Sequence, residues 1–372
     1  MSGETPLKTS IFVFSTASRL VNNLTNRFYE YDPEAFDLLR RLSNAPADFE
    51  TLTSSNPDPG FRSLLEYLIR EQMIVPASRD ETPCFVPHRV DIETCRQCNA
   101  RCRFCPQSVS PKPPEVMPLE LFGRILSRLD GASPEWVALN HYGEPLLDPH
   151  FRERVRMLRA RGLPLYLFTN GTLLKDATVD FLCEGGLYEV TFNFPSLDPG
   201  EWGDLMQMKE RFYWNARRGV ERFLSRGGGG GRGASISVNG RTANAAERVA
   251  RLREHFSAFG PVRIIREDSN SRASAIENQL VRIDARSAGR RYGGCERFVA
   301  HLHVSWEGKV YLCCQDYEQR TVLGDLRESD ISSIMASDFA RRLRAEVFGQ
   351  SAMAAGRLCL NCNKLRTERF PL

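Results

Sequence analysis

The sequence predicts an α/β protein built around a partial, TIM-like (β/α)6 barrel, with a small α+β domain before it and a cysteine-bearing domain after it. Strand-like and helix-like patterns alternate from about residue 85 to 267, and repeated units of that kind imply parallel strands joined by right-handed crossovers. About six such units make a barrel that stays open on one side. A polar run from Ala77 to Pro83 sets off an earlier stretch with strands and helices of its own. After residue 290 the alternation gives way to a hairpin pattern and a Cys-x-x-Cys pair. The expected boundaries are 1–80, 85–285 and 290–372.

In the first domain, Ile11-Phe12-Val13-Phe14 and Phe28-Tyr29-Glu30-Tyr31 read as short strands, because aromatic and β-branched residues dominate them. Asp32 caps a helix that opens on Pro33 and carries Phe36, Leu38, Leu39 and Leu42. Asn56 to Gly60 is a turn, followed by a helix through Leu64, Leu65, Leu68 and Ile69 and a strand at Met73-Ile74-Val75. In the barrel, strands are expected at 90–92, 136–140, 165–168, 190–194, 235–238 and 262–265. Apolar residues at helical spacing mark the segments between them: Phe122, Ile125, Leu126 and Leu129; Phe151, Val155 and Leu158; Val179 and Leu182; a longer stretch ending near Leu224. Val249, Leu252, Phe256 and Phe259 mark another before the sixth strand. Gly227 to Gly231 are five consecutive glycines and read as a floppy surface loop. In the third domain, 303–306 and 310–312 flank a Glu307-Gly308 turn, and Ile331, Ile334, Met335 and Phe339 mark a helix.

A chain of 372 residues, 42% hydrophobic and 26% charged, is long enough for two or three buried cores. No apolar run approaches the roughly 20 residues that span a bilayer, and the N-terminus has no signal-peptide pattern. A cytoplasmic protein without a membrane partner is expected. The net charge of +4 makes no case for nucleic acid. Eleven cysteines in a reducing compartment point to metal ligands more than to disulfides. Seven fall into two groups. Cys84, Cys95, Cys183 and Cys314 are left over and suit small buried positions.

Cys98, Cys102 and Cys105 form a CxxxCxxC motif in the loop after the first barrel strand. Three thiolates on one tight loop suit three irons of a 4Fe–4S cube, although half of a zinc site, completed by a residue such as Cys95, has similar spacing. With Phe104 before the last cysteine, the motif resembles the signature of the radical S-adenosylmethionine (SAM) superfamily. Tyr142-Gly143-Glu144-Pro145 ends the second strand and is similar to that family's Gly-Gly-Glu-Pro motif, which contacts the SAM amino group; Tyr142 replaces the first glycine. Thr169-Asn170 resembles the nucleoside-side turn. Ser196 and Asn239 stand where the family often binds the SAM carboxylate or ribose. All lie at C-terminal ends of expected strands, where such barrels place their sites. The resemblance implies that the cluster's open iron binds SAM, that an external donor such as flavodoxin or ferredoxin supplies one electron, and that the resulting 5′-deoxyadenosyl radical abstracts hydrogen from substrate.

The second group is Cys295, Cys313, Cys359 and Cys362. The spacing from Cys295 to Gly308 and on to Cys313 is similar to the opening of SPASM-type domains, and the short remainder resembles the reduced "twitch" form with one auxiliary 4Fe–4S cluster. A structural zinc on the same four thiolates is the alternative. Cys314 is then a spare thiol, either a buried filler or a hydrogen donor to a substrate radical, with Cys183 and Cys95 as rivals. His141 faces either core or substrate, and Arg263 and Arg266 are equally open. Residues 1–80 resemble the small winged-helix domain that binds leader peptides by strand addition. The favoured function is hydrogen abstraction from a ribosomally made precursor peptide, leading to epimerisation, crosslinking or oxidative modification. The alternatives are a dehydrogenase of a small alcohol or aminocyclitol, and a cluster- or zinc-bearing binding module.

Overall fold

The computed structural model describes residues 5–10, 13–15, 19–22, 27–79, 87–129, 133–229, 233–282, 285–295, 297–362 and 365. The first stretch runs β1 (Leu7–Thr9), β2 (Val13–Ser15), β3 (Arg19–Asn22), β4 (Arg27–Glu30), α1 (Pro33–Asn44), α2 (Phe49–Ser55), α3 (Pro59–Arg70) and β5 (Ile74–Pro76). The α1 helix starts where expected, because the Asp32 carboxylate accepts from the Ala35 amide at 2.8 Å and Pro33 occupies the first turn. Asp58 and Pro59 repeat the device at α3, so the expected turn ends inside the helix. Leu38, Leu39 and Leu42 pack with Phe61, Leu65 and Leu68 in one apolar cluster. The strands form an antiparallel β1–β5 pair and a separate sheet in the order β2-β3-β4. Ile11 and Phe12 lie outside the described residues. The pattern missed β1, β3 and α2; strands of three or four residues carry little periodicity, and α2 buries only Leu52.

The central part runs β6 (Arg89–Ile92), α4 (Leu119–Ser127), β7 (Trp136–Ala138), α5 (Phe151–Ala160), β8 (Leu165–Thr169), α6 (Asp176–Cys183) and β9 (Leu187–Asn193). It continues through α7 (Pro199–Met206), α8 (Glu210–Ser225), β10 (Ala234–Asn239), α9 (Ala245–Ser257) and β11 (Val262–Glu267). The six strands from β6 to β11 pair in sequence order, all parallel. The expected long fourth helix is two helices, because Gln207 adopts the left-handed conformation (φ 53°) and closes α7. Gly227 to Gly229 form a short 3₁₀ turn, with Gly227 and Gly228 at φ 80° and 65°; Gly230 and Gly231 lie outside the described residues.

The last part comprises α10 (Arg297–Ala300), β12 (His301–Val304), β13 (Lys309–Tyr311), β14 (Val322–Asp325), α11 (Ile331–Met335) and α12 (Asp338–Val347). The expected hairpin is present, but β12 also pairs in parallel with β6, so it extends the barrel sheet to nine strands in the order β11-β10-β9-β8-β7-β6-β12-β13-β14. The single helix expected around Ile331 to Phe339 is divided where Ser337 caps α12.

Strand alternation separates two faces of this sheet. Val90, Ile92, Val137, Leu165, Leu167, Val190, Phe192, Ile236 and Val238 are buried in the large apolar cluster. The opposite, interior face is polar. There Tyr166 Oη meets Thr191 Oγ1 at 2.9 Å, Thr191 meets Ser235 Oγ at 2.7 Å, and Ser235 donates to Glu189 at 2.7 Å. No helix among the described residues is long and apolar enough to cross a membrane.

Candidate active site

The loop leaving β6 carries Cys98, Cys102 and Cys105 over the C-terminal end of the sheet. Main-chain bonds from Arg101 to the Met206 carbonyl (3.2 Å) and from Arg103 to the Leu205 carbonyl (3.0 Å) hold it against the end of α7. The Cys105 amide donates to the Cys102 carbonyl at 2.9 Å, which tightens the second half of the motif. Asn193, at the end of β9, brings its amide within 3.8 Å of Cys102 Sγ. Burial pushes the Cys98 thiol up to about 12, and burial followed by the neighbouring Cys105 and Cys98 sulfurs pushes Cys102 well above the usual thiol range. Cys105 is raised by burial as well. Three crowded, desolvated sulfurs are a donor set that ionises when a metal centre takes the charge.

The Tyr142–Pro145 turn is docked directly on this loop. A Cβ at Gly143 would stand 1.9 Å from the Cys95 carbonyl oxygen, so only glycine fits. The next amide, of Glu144, donates to the Gln97 carbonyl at 2.7 Å. The Glu144 side chain is 2% exposed. One of its oxygens accepts from Thr169 Oγ1 (2.7 Å) and the Leu146 amide (3.1 Å), and the other from the Asn170 amide (2.8 Å). Burial nevertheless raises its carboxyl to about 7, against the pull of these bonds. The Asn170 side chain donates to Asn99 Oδ1 at 2.8 Å, and Asn99 donates to Thr172 Oγ1 at 2.9 Å. The ends of β6, β7 and β8 are thereby joined by one hydrogen-bonded network. Asn99 and Thr172 belong to it; their only sequence signal is position, one inside the cysteine motif and one two residues past Asn170.

Phe104 is half-buried against the large apolar cluster, and Pro145 is buried in the turn. Ser196 and Asn239 lie at the ends of β9 and β10 as expected, but their side chains have protein partners. Ser196 Oγ donates to Glu201, which is paired with Arg248, and accepts from the Asp198 amide at 3.1 Å. Asn239 donates to the Leu280 carbonyl at 2.9 Å and accepts from the Arg241 amide at 2.8 Å. Arg263 is paired with Glu189 across the interior, and Arg266 reaches the Gly240 carbonyl at 3.4 Å.

The side chain of His141 is buried, with Nδ1 3.6 Å from the carboxylate of fully buried Glu93. Burial lowers its basicity, opposed by Glu93. Glu93 also receives Lys112 Nζ at 3.3 Å and Gln319 Nε2 at 2.7 Å. Although burial opposes ionisation, His141, Lys112 and Gln319 hold this carboxyl at about 2. Tyr142, standing where the resembled motif has glycine, donates its hydroxyl to the Cys314 carbonyl at 2.6 Å and stacks edge-on against Tyr317 at 4.7 Å. It thus ties the turn to the C-terminal segment. Glu93, Lys112 and Tyr317 were not singled out from the sequence, since nothing local marks them.

Cys295, Cys313, Cys359 and Cys362 line one cavity together with Phe298, Leu312 and Leu358. Burial, then the neighbouring cysteine sulfurs, push the Cys313 thiol well up. Cys314 does not line that cavity; its sulfur contacts Arg297 and lies 3.7 Å from Gln315 Nε2. Cys95 is buried and its thiol is raised to about 11 by desolvation. Cys183 ends α6, beside Arg226 and Asp180. Cys84 lies outside the described residues.

Family models place this geometry. Residues 92–254 match the radical SAM superfamily, and residues 295–363 match an iron–sulfur cluster-binding domain of the SPASM type. The tungsten-containing aldehyde ferredoxin oxidoreductase cofactor-modifying protein of Pyrococcus furiosus is 33% identical over 108 residues, 28% of this chain and 30% of that protein, so the chain matches less than a third of its length. The S-adenosyl-L-methionine-dependent 2-deoxy-scyllo-inosamine dehydrogenase of Niallia circulans is 24% identical over 290 residues, 75% of this chain and 94% of that enzyme. Among solved structures, Streptococcus suis SuiB bound to precursor peptide SuiA shares the fold, with a TM-score of 0.54, 14% identity, and coverage of 98% of this chain and 94% of SuiB. The first family model implies SAM and a 4Fe–4S cluster, and the second implies auxiliary iron–sulfur chemistry. The chain thus carries a radical SAM domain over residues 92–254 and a SPASM-type iron–sulfur cluster-binding domain over residues 295–363.

Proposed function

We propose that this enzyme modifies a ribosomally made precursor peptide. In this reading Cys98, Cys102 and Cys105 hold the SAM-binding 4Fe–4S cluster, and Cys295, Cys313, Cys359 and Cys362 hold a single auxiliary one. When bound and reduced by a flavodoxin- or ferredoxin-class donor, the first cluster and SAM supply a 5′-deoxyadenosyl radical. The observation that carries the assignment is the network joining the cysteine loop, Glu144 and Asn170 at the ends of three adjacent strands. Gly143 lets the backbone approach the cysteine loop, and Glu144 fixes the Thr169–Asn170 turn. Phe104 and Pro145 exclude water beside them.

Two observations favour a peptide substrate. The likeness to SuiB, solved with its precursor peptide, extends over 98% of this chain and so takes in residues 1–80. That region also presents β2 and β4 as the outer strands of its three-stranded sheet, which suits capture of an extended leader by strand addition. Epimerisation, crosslinking and oxidative modification all begin with the same hydrogen abstraction, and Cys314 is the candidate donor if the hydrogen is replaced. The dehydrogenase relative, matched along 94% of its length, favours a second reading as oxidation of a small alcohol or aminocyclitol.

The test is to co-express the protein with a precursor peptide encoded beside it and to measure peptide mass and 5′-deoxyadenosine. The wild type should alter the peptide and form 5′-deoxyadenosine under reductant. The Cys98→Ala/Cys102→Ala/Cys105→Ala variant should do neither. SAM cleavage that survives in this variant would overturn the ligand assignment, whereas cleavage with turnover of an aminocyclitol and not of peptide would select the second reading.

A further inference from the structure

The barrel interior holds a second set of ligand-type side chains that the proposed chemistry does not use. Asp91 lies on β6 and His301 and His303 on β12, and the parallel pairing sets His303 beside Asp91 and His301 beside Arg89. Residues two apart on a strand share a face, so both imidazoles project into the interior, 5.7 Å apart and within 14° of parallel. Nδ1 of His303 is 3.3 Å, and Nδ1 of His301 3.6 Å, from the same oxygen of Asp91. Among the described residues, these three form the one group of His, Cys, Asp or Glu whose ligand atoms all lie within 4.8 Å of one another.

We propose that Asp91, His301 and His303 bind one divalent metal ion of the zinc class. Two imidazoles and a carboxylate are a donor set of three-protein-ligand zinc sites, which leave a further position for water or another ligand. Nitrogen and oxygen ligands at roughly 2.0–2.2 Å from a tetrahedral zinc stand roughly 3.4 Å from each other. The observed 3.3 and 3.6 Å bracket that spacing and are long for hydrogen bonds. The independent sign is His303. Its side chain is 0% exposed, and neither ring nitrogen makes a hydrogen bond. A buried polar group left in that state is costly and uncommon, and an ion shared with Asp91 satisfies it.

Arg89 sets a condition on the site. Its Nη1 lies 3.2 Å from Nε2 of His301 and can only donate, so in the ion-free ring the proton sits on Nδ1. Ion binding at Nδ1 moves that proton, and the guanidinium then has Glu135, already 3.4 Å from its Nε, as acceptor. The ion would fasten the first barrel strand to the first strand of the C-terminal hairpin. Both cysteine groups lie outside this set, so the site is independent of the cluster assignments.

The test uses holoenzyme reconstituted anaerobically with iron and sulfide, so that the thiolates are occupied. It is equilibrated with zinc, desalted, and assayed for zinc and iron together. The wild type should retain about one zinc per chain. His301→Gln/His303→Gln and, separately, Asp91→Asn should bind zinc at least about tenfold more weakly with iron unchanged. X-ray absorption at the zinc edge of the wild type keeps the test decisive if a variant folds poorly. Nitrogen and oxygen neighbours at roughly 2.0–2.2 Å support the site, whereas a sulfur shell near roughly 2.3 Å assigns the zinc to cysteine and overturns it. Wild-type holoenzyme that retains no zinc overturns it equally.

Discussion

Glu144 combines two properties that work against each other. It accepts three hydrogen bonds suited to a carboxylate, yet lies 2% exposed, and desolvation lifts its carboxyl from 4.5 to about 7. Below about pH 4.5 the group is protonated in both the folded and unfolded states, so its contribution to stability is fully present there. As pH rises toward 7 the unfolded chain ionises first, and stability is lost. A tenfold change in a proton-binding constant corresponds to about 1.4 kcal/mol, so the loss is on the order of 3 kcal/mol. Glu144→Gln has no such titration, although its amide must oppose an N–H donor at one end and costs about 1–3 kcal/mol at all pH values. Urea unfolding at about pH 5 and about pH 8 should therefore show the wild type's advantage over the variant shrinking with pH. Two curves that stay parallel would mean that Glu144 is charged throughout.

The second cysteine group shows what an element can and cannot supply alone. Cys295 precedes α10, Cys313 follows β13, and Cys359 lies within a terminal 3₁₀ turn (Leu358–Asn361) that Cys362 closes, so three separate segments converge on one cavity. A metal centre there would clasp those segments around Tyr292, Phe298, Leu343 and Val347. Cys359→Ser/Cys362→Ser should lose about four irons per chain if a 4Fe–4S cube is bound. SAM binding should persist, because the loop after β6 and the turn at Gly143 draw on other elements. Iron analysis and equilibrium binding of SAM decide the matter, and stoichiometric zinc bound through sulfur in the wild type would contradict the auxiliary cluster.

At the scale of the whole molecule, the apolar cluster built by Leu38, Phe61 and Leu65 shares no residue with the barrel cluster. A protein beginning at Thr82 should therefore keep its barrel and cleave SAM slowly without substrate, while turnover of a full precursor peptide falls toward that of a leaderless core, since leader capture raises the local substrate concentration. Unchanged peptide turnover would sink the leader-binding role of residues 1–80. Much of this architecture was readable locally. Six strand–helix periods, the Asp32-Pro33 helix start, the cysteine spacing and the Gly143–Pro145 and Thr169–Asn170 turns are determined within a few neighbouring residues, because periodicity, capping and loop length are short-range properties. The choice between Cys313 and Cys314 rests, in sequence, on spacing to Gly308; the fold sets Cys313 with Cys295, Cys359 and Cys362 and turns Cys314 toward Arg297. Parallel pairing of β12 with β6 brings together Arg89 and His301, 212 positions apart, and with them Asp91 and His303. Glu93 acquires Lys112, His141 and Gln319 in the same way. Such contacts depend on strand register and on which face is buried, and neither is written in the residues on either side; tertiary structure alone decided them.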